Sequence, residues 1–262
     1  MSPVLRTPRP TSAASNSRSA ARTGHLVLPG TPVPARAHPC PGTPGMAQIV
    51  VLDGTAVPTP EHFRIWSTTL VDHGFIRIRT GALAPRQAAQ AERAGLVCVQ
   101  VLALLDVDAP FQTGSGSSGA RRSPRTKRLR EGHLDTAAVV DTAAFGHNWA
   151  LDASMLADIR HATPSHRARI VTVDDRIVGF LVSGRAGRTG YVQRLAVDPQ
   201  FHRQGLATAL VDDAMRWMRR NRVTRAFVNT HVDNDAALEL YRRHGFGEMP
   251  ERLRVYEGPV VT

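Results

Sequence analysis

The chain has 262 residues, 42% of them hydrophobic, which is enough apolar material to fill the core of one large or two small domains. Its only two cysteines, Cys40 and Cys98, exclude a disulfide framework and a cysteine-based zinc site. No apolar run approaches the roughly 18 residues that a membrane-spanning helix needs, so we expect no membrane association. A reducing, cytoplasmic location is the simplest expectation.

The formal net charge of +11 is concentrated in two segments of the chain. Residues 1–45 contain five arginines and no acidic residue, and residues 112–130 contain five arginines and one lysine, again without an acid. These eleven charges equal the whole excess, so the rest of the chain is neutral overall. Disordered, solvated charge is the first interpretation, and a contact with RNA or phosphate is the alternative. Because no aromatic residues interleave the arginines, we do not expect a nucleic-acid partner.

The N-terminal part of the chain predicts a tail, a small module and a linker. Residues 1–45 lack hydrophobic periodicity, which predicts a disordered basic tail; an organellar transit peptide and a misassigned start at Met46 are alternatives. Residues 46–110 predict a small α/β module. Its elements are strands over 49–52, 75–79 and 97–105 and a helix around 87–94. A Gly-Ser-rich run then predicts a flexible basic linker over residues 111–125.

Residues 126–262 carry the patterns of a larger domain that alternates helices and strands. They first predict a helix over 135–145, a second helix capped by Asp152, and a hairpin of strands 169–173 and 177–182 that turns at Asp174 and Asp175. A strand over 191–197 and an amphipathic helix over 206–218 follow. The last predicted elements are a strand over 226–230, a helix over 235–244 and a strand over 253–256. Strands and helices in this order indicate a mixed α/β sheet.

A loop of anion-binding character connects the strand over 191–197 to the helix that begins at Leu206. Because the loop runs directly into a helix, successive backbone N–H groups and the helix dipole can favour one phosphate group. Gly205 allows the backbone to approach a ligand closely, and the small side chain of Ala207 leaves room for the next backbone contact. A single glycine at a helix start is by itself more often only a turn.

Three motifs, in order and spacing, resemble the GNAT family of N-acetyltransferases over residues 125–257, about half of the chain. The segment His202-Arg203-Gln204-Gly205-Leu206-Ala207 is similar to the family's pyrophosphate loop, Q/R-x-x-G-x-G/A, and follows Arg194-Leu195-Ala196-Val197-Asp198-Pro199. The segment from Asn234 to Tyr241 is similar to N-x-x-A-x-x-x-Y, and Gly245-Phe246 matches the G-F that follows it. His202 departs from the usual Gln or Arg, which puts the first side-chain contact in doubt.

The resemblance implies a fold class, a cosubstrate and a set of binding residues. The fold is α/β, with a mixed, mostly antiparallel sheet flanked by helices, as in GNAT-like acyl-CoA N-acyltransferases. Acetyl-CoA, with no metal, would occupy a cleft where the strands over 191–197 and 226–230 splay apart. The implied cosubstrate contacts are the backbone of Leu195 and Val197, the loop residues Arg203, Gln204, Gly205, Leu206, Ala207 and Thr208, and Asn234.

The resemblance also implies chemical roles for a few groups. The amide of Val197 would hydrogen-bond the thioester oxygen, and Tyr241 would protonate the departing thiolate. Tyr241 follows Ala237 by one helical turn, on the face toward the cleft; the alternative is a core aromatic. Gln193 stands where many relatives carry a carboxylate, so the sequence does not identify the general base that takes the proton from the amine. His231 is the candidate, although a histidine there is more often structural. Phe145, Trp149 and Leu156 lie in helices that border the acceptor site in this family. Packing in the core is the alternative role for each.

An offset of 150 residues relates the two halves of the chain. Ile78-Arg79-Thr80 then aligns with Val228-Asn229-Thr230, and Gly95-Leu96 aligns with Gly245-Phe246. The N-terminal region would be a degenerate half-copy of the same fold, with chance similarity as the alternative. Ala91 stands where Tyr241 stands, so the copy would be catalytically empty and would add sheet surface or shape the acceptor cleft.

The function expected from these observations is direct transfer of an acetyl group from acetyl-CoA to a primary amine. Neither cysteine lies in a nucleophile motif, so no covalent acyl-enzyme is expected. The loop and the Asn-to-Tyr spacing are similar to acetyltransferases of protein N-termini, which favours a peptide acceptor over a small amine, an antibiotic or a lysine. The alternative is a non-catalytic acyl-CoA-binding or regulatory protein that contacts nucleic acid through its basic segments.

Overall fold

A computed structural model describes residues 26–30, 32–111 and 124–260, and these residues share one sheet of eleven strands. The strands are β1 (Leu26–Leu28), β2 (Ala35–Pro39), β3 (Met46–Val51), β4 (Arg77–Thr80), β5 (Val97–Asp108), β6 (Thr126–Arg128), β7 (Ser165–Val173), β8 (Arg176–Ala186), β9 (Thr189–Val197), β10 (Arg225–His231) and β11 (Gly247–Pro259). The α-helices in these described ranges are α1 (Pro60–Asp72), α2 (Pro85–Arg93), α3 (Leu134–Phe145), α4 (Ala153–His161), α5 (Leu206–Arg220) and α6 (Asp235–Arg243). No helix among them is long and apolar enough to cross a membrane.

The order across the sheet is β1-β2-β3-β4-β11-β5-β10-β9-β8-β7-β6. Only the pairs β3-β4 and β9-β10 are parallel, and every other pair of neighbours in the described residues is antiparallel. Helices α3 and α4 pack on one face of the C-terminal strands, and α5 packs on the other. This confirms the predicted mixed, mostly antiparallel sheet flanked by helices.

Local sequence signals fix several elements of the C-terminal half. Asp174 and Asp175 have φ values of 46° and 58°, which is the left-handed conformation that a two-residue hairpin turn between β7 and β8 requires. The carboxylate of Asp152 accepts a hydrogen bond from the Met155 amide at 2.9 Å and so caps α4. Both features confirm the sequence predictions.

The expectation of a disordered tail over residues 1–45 is wrong for its last part. Strands β1 and β2 lie there, and β2 pairs along its whole length with β3. Leu28, Val33, Ala35 and Ala37 are buried in the core beneath them. Prolines around both strands obscure the strand pattern in the sequence, but only Pro39, the last residue of β2, lies within a strand. Residues 1–25 and 112–123, which include most of the predicted tail and linker, lie outside the described residues.

The two halves of the chain exchange their last strands. Strand β5, from the N-terminal half, lies between β10 and β11, and its buried residue Leu105 packs in the same core as α5. Strand β11, from the C-terminal half, lies between β4 and β5. Its buried Tyr256 packs with Trp66 of α1 and donates a hydrogen bond to Glu92 at 2.6 Å. Each half therefore completes the core of the other.

The exchanged arrangement supports the half-copy predicted from the 150-residue offset. The order β3-α1-β4-α2-β5 in the N-terminal half matches β9-α5-β10-α6-β11 in the C-terminal half, element by element. Helix α2 begins at Pro85 and α6 at Asp235, which differ by 150. Ala91 is fully buried on α2, at the position that corresponds to Tyr241.

Candidate active site

The predicted splay between the two parallel strands β9 and β10 is present. The strands pair only at Arg225 with Thr189, Ala226 with Gly190 and Phe227 with Tyr191. Beyond that point β9 continues to Val197 and β10 to His231 without further pairing to each other. An unpaired strand edge exposes N–H and C=O groups, so the divergence leaves β9 with free hydrogen-bonding capacity toward a ligand.

The end of β9 presents its backbone to this opening. The amide of Asp198 donates to the carbonyl of Val178 on β8 at 2.8 Å. Backbone groups of successive strand residues point to opposite edges, so the amide of Val197 faces the splayed edge. It therefore points toward the opening, as the resemblance implies for the donor to the thioester carbonyl oxygen.

The loop between β9 and α5 has the conformation of an anion cradle. Arg203 and Gly205 have φ values of 59° and 77°, both left-handed, and Gly205 immediately precedes the first residue of α5. Alternation of right- and left-handed residues directs successive N–H groups into one concavity. A Cβ built on Gly205 would meet no protein atom within 4 Å, so the space in front of this backbone is open.

His202, the departure from the family motif, holds the loop against β9. Its Nε2 atom lies 3.0 Å from the carbonyl oxygen of Val197. With that nitrogen protonated, the imidazole donates a hydrogen bond and ties the start of the loop to the end of the strand. The side chain thus positions the backbone amides, whereas a Gln or Arg at this place is expected to contact the ligand itself.

A cavity of about 390 Å³ lies between this loop and the start of α6. The predicted binding residues that line it are Leu195, Val197, Arg203, Gly205, Leu206, Ala207, Thr208 and Asn234; Gln204 does not. Sequence reasoning missed Phe201, Glu239, Leu240 and Arg243 as lining residues, although Arg243 stands two residues after Tyr241. Phe145, expected near the acceptor, also lines this cavity.

The cavity combines two helix N-termini with cationic side chains, which suits a diphosphate ligand. Asn234 caps α6 by accepting a hydrogen bond from the Ala237 amide at 3.1 Å, so its Oδ1 is occupied and its side-chain NH₂ is the group left for a ligand. Arg203 lines the mouth, and Arg243 pairs with Glu239 at 2.8 Å along α6. These groups fit the charged end of a nucleotide-type molecule.

Tyr241 lies in the core rather than on a cavity wall. Its side chain is 4% exposed, and its ring packs edge-on against Phe246 with centroids 5.7 Å apart. Burial raises the pKa of its hydroxyl well above the usual value, so the group stays protonated near neutral pH. This packing agrees with the core-aromatic alternative, and the role of Tyr241 as an acid stays a prediction.

His231 lies at the end of β10, and its contacts are local. Its Nδ1 atom accepts a hydrogen bond from the Asp233 amide at 3.2 Å and lies 3.6 Å from that residue's carboxylate. It does not line the cavity of about 390 Å³. A turn-stabilising role accounts for these contacts, and the assignment of His231 as a base stays a prediction.

Comparison with known proteins agrees with this geometry. The sequence matches the Acetyltransferase (GNAT) family over residues 137–246, which include β9, the anion cradle, α5 and α6. The chain therefore carries a GNAT domain. The family resemblance inferred from the three motifs is confirmed.

The relatives of this GNAT domain include an N-alpha-acetyltransferase and a ribosomal-protein alanine N-acetyltransferase. The chain is 37% identical over 67 residues to N-alpha-acetyltransferase 30 of Saccharomyces cerevisiae, covering 26% of this chain and 38% of that protein. It is 29% identical over 86 residues to the [Ribosomal protein bS18]-alanine N-acetyltransferase of Salmonella typhimurium, covering 33% and 58%. In both cases the chain spans less than two thirds of the relative.

Solved GNAT structures share the fold of most of the chain. A tandem GNAT protein from the clavulanic acid biosynthesis pathway has a TM-score of 0.60 at 12% identity, covering 88% of this chain and 79% of that one. A GCN5-related N-acetyltransferase from Kribbella flavida has a TM-score of 0.57 at 15% identity, covering 94% and 96%. Because both matches extend through the N-terminal region, they agree with a degenerate half-copy ahead of the GNAT domain.

Proposed function

We propose that the protein is an acetyl-CoA-dependent N-acetyltransferase that acts on the amino terminus of a polypeptide. The observation that carries this proposal is the open anion cradle at Arg203 and Gly205, placed by the GNAT motifs beside a splayed β9. The names of the two relatives, an N-alpha-acetyltransferase and a ribosomal-protein alanine N-acetyltransferase, support the choice of acceptor. The domain division that we propose has residues 126–262 as the GNAT part.

The residues of the cradle would bind the cosubstrate and direct its acyl end into the splay. The backbone around Arg203 to Thr208 would hold the diphosphate, and the side-chain NH₂ of Asn234 would hold the pantetheine arm. The exposed edge of β9 at Leu195 and Val197 would pair with the amides of that arm. Acetyl-CoA supplies a thioester, which is a carbonyl already activated toward an amine.

The reaction is a direct displacement in which atoms and charges balance. The amine nitrogen attacks the thioester carbonyl carbon, and the Val197 amide donates a hydrogen bond to the oxygen as its charge develops. The C–N bond forms, the C–S bond breaks, and the thiolate leaves with the electron pair. The thiolate accepts a proton from Tyr241, its proposed donor, and Tyr241 regains a proton equivalent to the one that the amine loses. The products are an amide and a free thiol.

The state of Cys40 supports direct transfer over a cysteine-bound intermediate. Burial raises the pKa of the Cys40 thiol to about 11, although the nearby Arg79 opposes that rise. A thiol with such a pKa is almost wholly protonated near neutral pH and is a poor nucleophile. We propose a reducing, cytoplasmic location, because two cysteines are too few for a disulfide framework.

Thiol release from acetyl-CoA across a panel of peptides and amines tests this function. We expect release that depends on a peptide with a free amino terminus, with one amide formed for each thiol, as measured by mass spectrometry. Binding of acetyl-CoA by calorimetry without turnover on any acceptor would instead favour the non-catalytic, regulatory alternative. Absence of both binding and turnover would contradict the assignment of the cradle.

A further inference from the structure

A β-bulge in β9 determines the face of the sheet on which Arg194 lies. Successive residues of β8 pair with Val192 and with Arg194, so Gln193 is the extra residue of the bulge. The alternation of faces along the strand reverses there, and Val192 lies in the core with α5 whereas Ala196 lies in the core with α3 and α4. Without the bulge Arg194 would share the face of Val192. The bulge therefore directs Arg194 toward α3.

Arg194 forms a buried ion pair with Asp141 of α3. Its Nε and Nη2 atoms donate to the two carboxylate oxygens at 2.8 and 2.6 Å. The Asp141 side chain is fully buried, and 18% of the Arg194 side chain is exposed. The Cζ atom of the guanidinium also lies 3.6 Å from the centroid of the Phe145 ring. Because the guanidinium is planar and bonds through two N–H groups, this contact fixes the orientation of both partners.

The same two side chains hold the backbone of the loop between α3 and α4. Asp141 accepts a third hydrogen bond, from the Leu151 amide at 2.7 Å. The Nη2 atom of Arg194 also donates to the Trp149 carbonyl at 2.9 Å. One donor and one acceptor of the loop backbone are thus satisfied by the ion pair. The pair therefore determines where the loop lies relative to β9.

The pair contacts the walls of two cavities. On one side, Phe145 lines the cavity of about 390 Å³ beside the anion cradle, as does Leu195, the residue that follows Arg194. On the other side, Trp149 and Arg194 line a cavity of about 270 Å³. The ring and the loop that the pair fixes are therefore parts of the walls of both cavities.

Stability alone does not account for this ion pair. The cost of removing a carboxylate and a guanidinium from water roughly balances their attraction, so apolar residues of similar volume often stabilise a core equally well. Apolar side chains, however, neither accept from the Leu151 amide nor donate to the Trp149 carbonyl. Placement of the loop is the contribution that an apolar pair could not make.

We infer that Asp141 and Arg194 are positioning residues for the acetyl transfer, which hold the α3-α4 loop and the Phe145 ring beside the reacting thioester. This inference rests on the proposed function and gives a role to two residues outside the cosubstrate contacts. Neither residue exchanges a proton with the substrates, and both act through the loop and the ring. A displacement of about 1 Å at a positioning group can lower a rate about 10²-fold.

Replacement of the pair by apolar residues separates placement of the loop from stability. The double variant Asp141→Leu, Arg194→Met leaves no unpaired charge of the pair in the core, so we expect it to remain folded. Hydrogen–deuterium exchange of residues 146–152 should be faster, because the Leu151 amide has lost its acceptor. The kcat/KM for a peptide acceptor should fall about 10- to 10²-fold. Acetyl-CoA affinity, measured by calorimetry, should be nearly unchanged, because the cradle is unaltered.

Asp213 of α5 provides a matched control for substitution of a single carboxylate. It is also buried, and it accepts hydrogen bonds from Arg167 at 3.1 Å and from Thr126 at 2.9 Å. It lines neither cavity. Asp141→Asn and Asp213→Asn each leave an arginine with a neutral partner, so both should lower the melting temperature. Only Asp141→Asn should speed exchange of the loop and lower the peptide kcat/KM.

The outcomes of these experiments distinguish placement from packing. Parental loop exchange and parental peptide kcat/KM in the double variant would overturn the inference, because the pair would then contribute to packing alone. Faster loop exchange with parental turnover would overturn it as well. Equal kinetic losses in Asp141→Asn and Asp213→Asn would also contradict it, since lost stability would explain both. No turnover of any amine by the parent protein would instead overturn the proposed function itself.

Discussion

The two halves of this protein share one scaffold but differ at the place where a ligand could enter. In the N-terminal half, β3 and β4 pair along the whole length of β4, and the Gly81 amide closes the end by donating to the Ile49 carbonyl at 2.8 Å. In the C-terminal half, the equivalent strands β9 and β10 part after Tyr191 and Phe227. A cleft therefore requires the divergence of the strands and not the scaffold alone.

The loops that follow β9 and β3 also differ, because the first leaves open space and the second is held by a side chain. After β9, the segment with left-handed Arg203 and Gly205 leaves open space before α5. After β3, the corresponding segment is tied down by the Gln87 carboxamide, which donates to the Ala56 carbonyl at 2.7 Å. In the half-copy a side chain of α2 therefore bonds to the backbone of the loop that follows the first strand.

We expect truncation at the N-terminus to have the largest effect, because it removes strands that pack on the half-copy. Deleting residues 1–45 removes β1, β2 and the buried side chains of Leu28 and Val33, each contributing about 1.5–3 kcal/mol. We expect the melting temperature to fall by about 10 °C or more, since each kcal/mol is worth about 2–4 °C at this size. Deleting residues 1–25 removes no described strand and should leave the melting temperature nearly unchanged. Equal melting temperatures for both truncations would contradict the packing described for β1 and β2.

The two buried tyrosines sharpen the comparison between the halves. Tyr241→Phe keeps the ring that packs on Phe246 and removes the proposed acid, so single-turnover rates should fall about 10²-fold with acetyl-CoA binding unchanged. That size lies at the low end for a general acid because a thiolate leaves readily. Tyr256→Phe removes the hydroxyl that donates to Glu92 in the other core and should lower only stability. If Tyr241→Phe reacts at the parent rate in a single turnover, Tyr241 has only a packing role.

His202 is expected to give the smallest effect. His202→Ala removes one hydrogen bond to the Val197 carbonyl, worth about 1 kcal/mol, so acetyl-CoA binding should weaken by about five- to tenfold. His73→Ala removes a comparable contact, to the Thr69 carbonyl on α1, and should not affect acetyl-CoA binding. Calorimetry on the three proteins measures the difference. Unchanged affinity in His202→Ala would show that the cradle holds its shape without this tie.

Much of the GNAT half could be predicted because its signals are local. The paired aspartates at 174 and 175, the cap at Asp152 and the glycine at the start of α5 each determine the backbone within a few residues. The loop motif located the cradle for the same reason. Tyr241 was harder to place, because helical spacing gives the face of α6 but not how far its ring sinks into the core.

The exchanged strands could not be predicted, because pairing between distant segments leaves no local mark. The apolar run in β5 indicates a central strand, but nothing in it selects β10 and β11 as neighbours. A cavity lined by Gln48, Gln100 and Gln193 follows from that pairing. Strand β2, next to the edge strand β1, was missed because proline and alternating alanines resemble a disordered segment.

Calorimetric titration with acetyl-CoA tests the central claim most directly, because it counts functional clefts. The account predicts one site per chain. Gly205→Val should abolish this site by filling the cradle, whereas Gly95→Val, which has a similar φ of +82° and equally open surroundings in the half-copy, should retain it. Both substitutions carry a similar backbone strain of about 1–2 kcal/mol, so a shared loss of stability is expected. Two sites per chain, or normal affinity in folded Gly205→Val, would contradict the account.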